Sequence, residues 1–152
     1  MSRWPRYGRD VKTHFGGLTR SELMTRIRSG GNKSTELKLA TLLRQHRLNG
    51  WRRHTNVTGK PDFVWRVHRT AVFVDGCFWH GHDCKRNLSP KRNIAAWRLK
   101  IAQTKRRDRR VTAELKREGW LVVRIWECSL ANNPLAWLKV IEAATRRRPA
   151  RR

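Results

Sequence analysis

The sequence predicts an α/β fold, a small mixed sheet flanked by helices. Three observations carry that expectation. Apolar segments follow in the order helix, three strands, helix, strand, helix. The strand candidates are short apolar runs bounded by Gly, Pro and polar residues, and the segments between them have helical periodicity.

Each element follows from local chemistry. Residues 1–17 are basic, contain Gly16-Gly17 and read as a flexible arm. Residues 18–29 place Leu18, Leu23, Met24 and Ile27 roughly on one helix side, and Gly30-Gly31 then breaks the chain. Ser34 or Thr35 can cap a second helix running to about Leu48, with Leu39, Leu42 and Leu43 on its apolar face. Three strands are expected next: near 51–55, at Asp62-Phe63-Val64-Trp65 after Gly59-Lys60-Pro61, and at 70–74, ending in Asp75-Gly76. A Cys/His loop and a basic stretch to about Arg92 lead into a long helix, 94–118, that Gly119 stops. Residues 120–126 read as a buried strand, and Pro134 starts a last helix ending near Thr145. The tail, 146–152, is arginine apart from Pro149 and Ala150 and is expected to be disordered, which leaves one domain over 18–145.

Charge narrows the function. Against 36 Lys and Arg stand 11 Asp and Glu, a formal net charge of +25. That exceeds what solubility needs and favours a polyanion, most commonly nucleic acid. No apolar run reaches transmembrane length, and the N-terminus lacks the apolar core of a signal peptide. The expected location is the cytoplasm, beside the nucleoid, with no membrane partner.

With so few acids, each position is informative. Asp62 and Asp75 lie at ends of neighbouring strands, and a turn at His68-Arg69 would set them opposite one another. Two adjacent carboxylates repel unless a cation or proton offsets them, and a divalent metal would also polarise a phosphate. The plainer alternative is a strand cap and a turn residue. Asp108 falls on the stripe of Ile94, Trp97, Ile101 and Leu115 along the long helix, so it needs a partner. Its arginine neighbours in sequence, such as Arg107 and Arg109, point elsewhere on a helix. Glu36, in the first turn of its helix, has the helix dipole as its ordinary role, yet it shares a face with Ala40 and Leu43.

Residues 77–84, Cys-Phe-Trp-His-Gly-His-Asp-Cys, concentrate the remaining chemistry. Cys77, His82 and Cys84 lie within eight residues, and Cys128 follows a strand that can run alongside them. Three thiolates and an imidazole suit tetrahedral zinc, in a spacing unlike that of a standard zinc finger. Asp83 is a poor ligand beside softer donors. His80 is left over, five residues past Asp75. It is either structural or a general acid/base. Phe78 and Trp79 on this loop suggest a surface on which bases stack.

Taken together, these residues resemble the very short patch repair (Vsr) endonucleases. Phe73 to Gly81 (FVDGCFWHG) looks like the family signature, and Gly59-Lys60-Pro61-Asp62-Phe63 resembles its G-[RK]-P-D-F element. Arg107-Asp108-Arg109, Gly119-Trp120 and Trp126-Glu127-Cys128 match further landmarks in order. The resemblance spans about 18–145. It implies a restriction-endonuclease-like, PD-(D/E)XK-type fold with a structural zinc, and magnesium-dependent nicking of duplex DNA at T:G mismatches. It implies magnesium at Asp62 with Val74 and Asp75, acid/base work by His80 supported by Asp108, and Glu36 near the metal. It implies zinc at Cys77, His82, Cys84 and Cys128, and aromatic wedges at Phe78, Trp79 and Trp97. Some members carry His where this chain has Asp75.

The expected partner is mismatched double-stranded DNA, acted on by a monomer, with repair proteins as further candidates. The alternatives are a homing or restriction-type nuclease on the same core, and a zinc-stabilised DNA binder without catalysis. Binding alone gives no reason for inward-facing acids on so cationic a chain.

Overall fold

The computed structural model describes residues 35–85 and 94–146. The expected arm, the helix over 18–29, part of the basic stretch before residue 94 and the tail beyond Arg146 lie outside the described residues. Among the described residues, no helix is long and apolar enough to cross a membrane.

Helix α1, Glu36–Gln45, opens the described chain. Strands β1 (Phe63–Trp65) and β2 (Thr70–Asp75) follow as an antiparallel pair. Helix α2, Ile94–Arg117, then crosses to β3, Leu121–Trp126, which pairs parallel with β2. Helices α3 (Glu127–Asn132) and α4 (Pro134–Arg146) complete the chain. The sheet order β1-β2-β3 is mixed, as the sequence suggests.

The pleat divides the core into two. One face of the sheet offers Phe63, Trp65, Val72, Val74, Val123 and Ile125 to α1, α3 and α4, through residues such as Leu39, Leu43, Leu130 and Ile141. The other offers Ala71 and Phe73 to Val111 and Leu115 of α2, with Val122 packed alongside. Alternation along β2 and β3 thus yields a helix–sheet–helix sandwich. Asp75 continues the odd-numbered side of β2, so it shares the α2 face. Asp108 reaches the same face from α2, one turn before Val111 and two before Leu115.

Several expectations need correction. The strand near 51–55 is a single bridge between Arg52 and Val64, because His54 takes a left-handed conformation (φ 53°) that interrupts extension. The hairpin turn is not His68-Arg69. Trp65 pairs with Thr70 around a four-residue loop, with Arg69 at φ 47°. A two-residue hairpin turn needs conformations that His-Arg rarely adopts. Carried one residue on, this register sets Asp62 opposite Phe73 rather than Asp75.

Helix α1 stops earlier than Leu48. Leu48 N–H donates to Leu43 O and Arg47 N–H to Arg44 O, a Schellman cap with Arg47 at the left-handed position (φ 55°). The stop escaped prediction because the usual glycine is an arginine. Thr35 is the N-cap, but its side chain makes no capping hydrogen bond. Ile94 lies 47% exposed at the start of α2, so the buried stripe runs through Val111 and Leu115 instead. Strand β3 is half-buried, with only Val123 and Ile125 fully inside. Helix α3 was not foreseen, and Arg146 belongs to α4, paired with Glu142 at 2.6 Å.

Candidate active site and metal centre

The parallel pairing of β2 and β3 brings two chain exits together, since Asp75 pairs with Trp126. The Cys/His loop and Cys128 emerge there. The loop after β2 folds back as one helical turn: His80 N–H donates to Gly76 O, Gly81 N–H to Phe78 O and His82 N–H to Cys77 O. The last two bonds form another Schellman cap, with Gly81 left-handed at φ 61°. Only glycine fits: a Cβ there would run into Ile101 and come within 2.8 Å of Lys105 Cε on α2.

This turn sends Cys77 and His82 to one place. With Cys84 and with Cys128 at the start of α3, their donor atoms all lie within 4.8 Å of one another. Trp126 stacks on His82 at 4.3 Å between ring centres and an interplanar angle of 10°. Burial, with the adjoining thiols of Cys128 and Cys84, pushes the Cys77 thiol up to about 12. Three thiols and an imidazole gathered this closely are the donor set of a tetrahedral metal site, so the set fits a metal. A metal held by this set is expected to be lost when Cys128 is replaced by Ser, with a fall in thermal stability of several degrees, read as zinc content by metal analysis and by thermal melting. An unchanged zinc content in that variant would remove Cys128 from the set.

His80 meets a different set of partners. Its Nδ1 lies 2.6 Å from Asp108 Oδ2 and 3.6 Å from Asp75 Oδ1. Burial raises Asp108, but the His80 contact and the charges of Arg124, His80 and Arg107 outweigh it, and its carboxyl sits below the ordinary value. Asp75 is nearly fully buried, and Arg124 engages both its oxygens, Nε to Oδ2 at 2.7 Å and Nη2 to Oδ1 at 2.8 Å. The sequence reading gave Asp75 to a metal; its nearest cation in the fold is Arg124. His80, Asp108, Asp75 and Arg124 line an open cleft of about 690 Å³ with Lys105 and Arg109 of α2.

A second set of acids gathers around Asp62. Val74 N–H donates to Asp62 Oδ2 at 2.7 Å, which ties the residue before β1 to β2. Burial pushes the Asp62 carboxyl up to about 7; the Val74 amide and the Arg53 charge pull it down, and the charges of Glu36 and Asp75 push it further up. Glu36 is buried in the first turn of α1 and paired with Arg53. Glu36 and Asp75 thus act on Asp62 as negative neighbours, although Asp75 is not opposite it in the register.

Phe78, Trp79 and Trp97 form one aromatic group, with ring centres 5.2 Å (Phe78–Trp79), 5.0 Å (Phe78–Trp97) and 5.7 Å (Trp79–Trp97) apart. Trp79 remains 36% exposed. The sequence reading missed Arg53 and Arg124. A lone charge inside the apolar run 121–126 was the signal for Arg124; nothing comparable marked Arg53.

Clustered carboxylates and a His–Asp pair at a sheet end, on a chain of net charge +25, fit the class of nucleic-acid phosphodiesterases. Comparison with known proteins is consistent with that class. The family model of DNA mismatch endonuclease Vsr matches residues 12–86. The chain is 36% identical over 113 residues to type II nicking enzyme V.XorIIP of Xanthomonas oryzae pv. oryzae, covering 74% of this chain and 82% of that protein. It is 38% identical over 128 residues to V.NmeDIP of Neisseria meningitidis serogroup C, covering 84% and 86%. It is 37% identical over 112 residues to DNA mismatch endonuclease Vsr of Escherichia coli, covering 74% and 71%. The chain belongs to the Vsr DNA mismatch endonuclease family, and it is a DNA endonuclease that nicks its substrate.

Proposed function

We propose that this endonuclease nicks one strand of duplex DNA beside a T:G mismatch, on a restriction-endonuclease-like sheet of the PD-(D/E)XK type. The observation that carries the catalytic part is the Asp62 carboxyl, raised to about 7 by burial with Glu36 and Asp75 as added negative neighbours. A site that disfavours its own charge this much is suited to a divalent cation. Asp62, with the Val74 carbonyl and Asp75 nearby, would hold magnesium, which when bound polarises the phosphate and offsets the acid cluster.

The chain's own groups do the rest. Asp108 engages His80 Nδ1, which fixes the ring and leaves Nε2 as the atom that handles a proton. His80 takes a proton from the attacking water as the new P–O bond forms, and the ester oxygen on the far side leaves with the bond pair and is protonated. Glu36, its charge balanced by Arg53, supports the acid cluster from α1. Lys105 and Arg109 line the cleft and provide cationic contacts for the DNA backbone. Cys77, His82, Cys84 and Cys128 hold a zinc ion that fixes the loop bearing His80.

Mismatch preference is assigned to Phe78, Trp79 and Trp97. An aromatic wedge must unstack a base step, and a mismatched step opens at lower cost. Trp79→Ala is expected to weaken binding to a T:G duplex by about 1–3 kcal/mol, and to a fully paired duplex by much less. The test measures binding and nicking on T:G, T:C and paired duplexes, with and without magnesium, with circular dichroism as the control for folding. Equal nicking of all three duplexes by the parent, or an unchanged preference in folded Trp79→Ala, would favour a sequence-specific nuclease instead.

A further inference from the structure

Arg124 is the one charged side chain of β3, 22% exposed and set over the Phe73 ring at 4.6 Å. A guanidinium in an apolar strand needs acceptors for its donors. Arg124 has them on two elements, β2 and α2. It grips both oxygens of Asp75 at the end of β2, and its Nη2 also lies 3.2 Å from Asp108 Oδ1 on α2. Nη1 donates to Thr112 Oγ1, one turn further along α2, at 3.4 Å. The other oxygen of Asp108 meets His80 Nδ1, and Asp75 Oδ1 stands 3.6 Å from the same nitrogen. Four side chains thus close a ring: His80, Asp108, Arg124, Asp75.

We infer that Arg124 is a positioning residue for nicking, holding Asp75 and Asp108 on either side of His80 Nδ1 so that the imidazole keeps one orientation toward the DNA. The inference rests on the reading of His80 as the acid/base group. Without the guanidinium, two carboxylates on one side of a ring repel, and the remaining arginine contact, exposed Arg107 at 3.3 Å from Asp108 Oδ1, reaches Asp108 without tying it to Asp75. The fork geometry matters as well as the charge, because a planar guanidinium serves two oxygens of Asp75 and a third on Asp108, and an ammonium cannot reproduce that. Both Asp75 oxygens meet Arg124, so beside its place near the proposed metal Asp75 serves as the anchor that holds the guanidinium.

The test compares kcat and KM for nicking a T:G duplex in His80→Ala, Arg124→Gln, Arg124→Lys and the double variant His80→Ala/Arg124→Gln. Arg124→Gln should lower kcat about 10²-fold with KM for DNA little changed, and Arg124→Lys should fall between it and the parent. The double variant should be no slower than His80→Ala, because an orienting group has nothing left to orient. A slow His80→Ala beside a parental Arg124→Gln overturns the inference and leaves His80 in place, as do losses that multiply in the double variant. A parental His80→Ala overturns the His80 reading itself. Should Arg124→Gln fail to fold by circular dichroism, Arg124→Lys, which keeps the charge but not the fork, should fold and show a loss in kcat with KM for DNA little changed, and parental kcat in it overturns the inference.

Discussion

Replacing Asp62 by Asn is expected to abolish nicking while duplex binding is kept or tightened. The substitution keeps the size of the side chain and an acceptor for the Val74 amide, and removes the charge that would hold magnesium. Less negative charge facing a phosphate also means less repulsion. A second readout follows from the same carboxyl. Its folded value is raised to about 7 from an ordinary 3.8. Between those values the folded state keeps a proton that the unfolded state has released, so this group makes stability fall as pH rises through the window. In magnesium-free buffer, Asp62→Asn should therefore be more stable than the parent at pH 8, by at most roughly 4 kcal/mol, and the difference should vanish toward pH 4. Magnesium should stabilise the parent at pH 8 and leave the variant unchanged. Nicking by Asp62→Asn within about ten-fold of the parent would take Asp62 out of the metal site.

His80→Ala should lower kcat by about 10² to 10⁴-fold at saturating DNA, with the magnesium requirement unaltered. Asp108→Asn should lower it less, because the amide still meets Nδ1 but carries no charge to favour the imidazolium that forms. A parental kcat for His80→Ala would return the residue to a structural role. A rise in the magnesium requirement would place it among the metal's neighbours instead.

The parts of the site that were legible in sequence are those whose geometry is local. Cys77, His82 and Cys84 are joined by one turn of backbone, so their spacing already implied convergence. Gly119 predicted the end of α2, because its left-handed cap (φ 81°) is the conformation glycine allows. Asp108 was legible from the helical period that also placed Leu115. Contacts between elements were harder to read. The register of Asp62 was misplaced because it depended on a turn whose residues gave no strong signal. Arg47 ended α1 at a left-handed position that side chains rarely take, so the helix was read too long. Arg53 fell in a stretch read as strand, and its pairing with Glu36, 17 residues away, has no local mark. Arg124 stood in plain view within β3, yet its partners lie 49 and 16 residues distant, and only the parallel register with β2 brings them within reach.

That register also fixes an order of assembly. Three donors of the Cys/His set come from one eight-residue segment, whereas Cys128 is 51 residues from Cys77. A loop of that length closes only at an entropic cost, and here closure requires α2 to form and β3 to dock beside β2. A chain still emerging from the ribosome can offer an ion three ligands, but the fourth arrives only when the crossover is complete. His80 sits inside the same segment, and Asp108 and Arg124 arrive with α2 and β3. On the proposed reading, the groups assigned to cutting are completed by the step that closes the Cys/His set, and a partly folded chain, however strongly its charge draws it to DNA, would lack them.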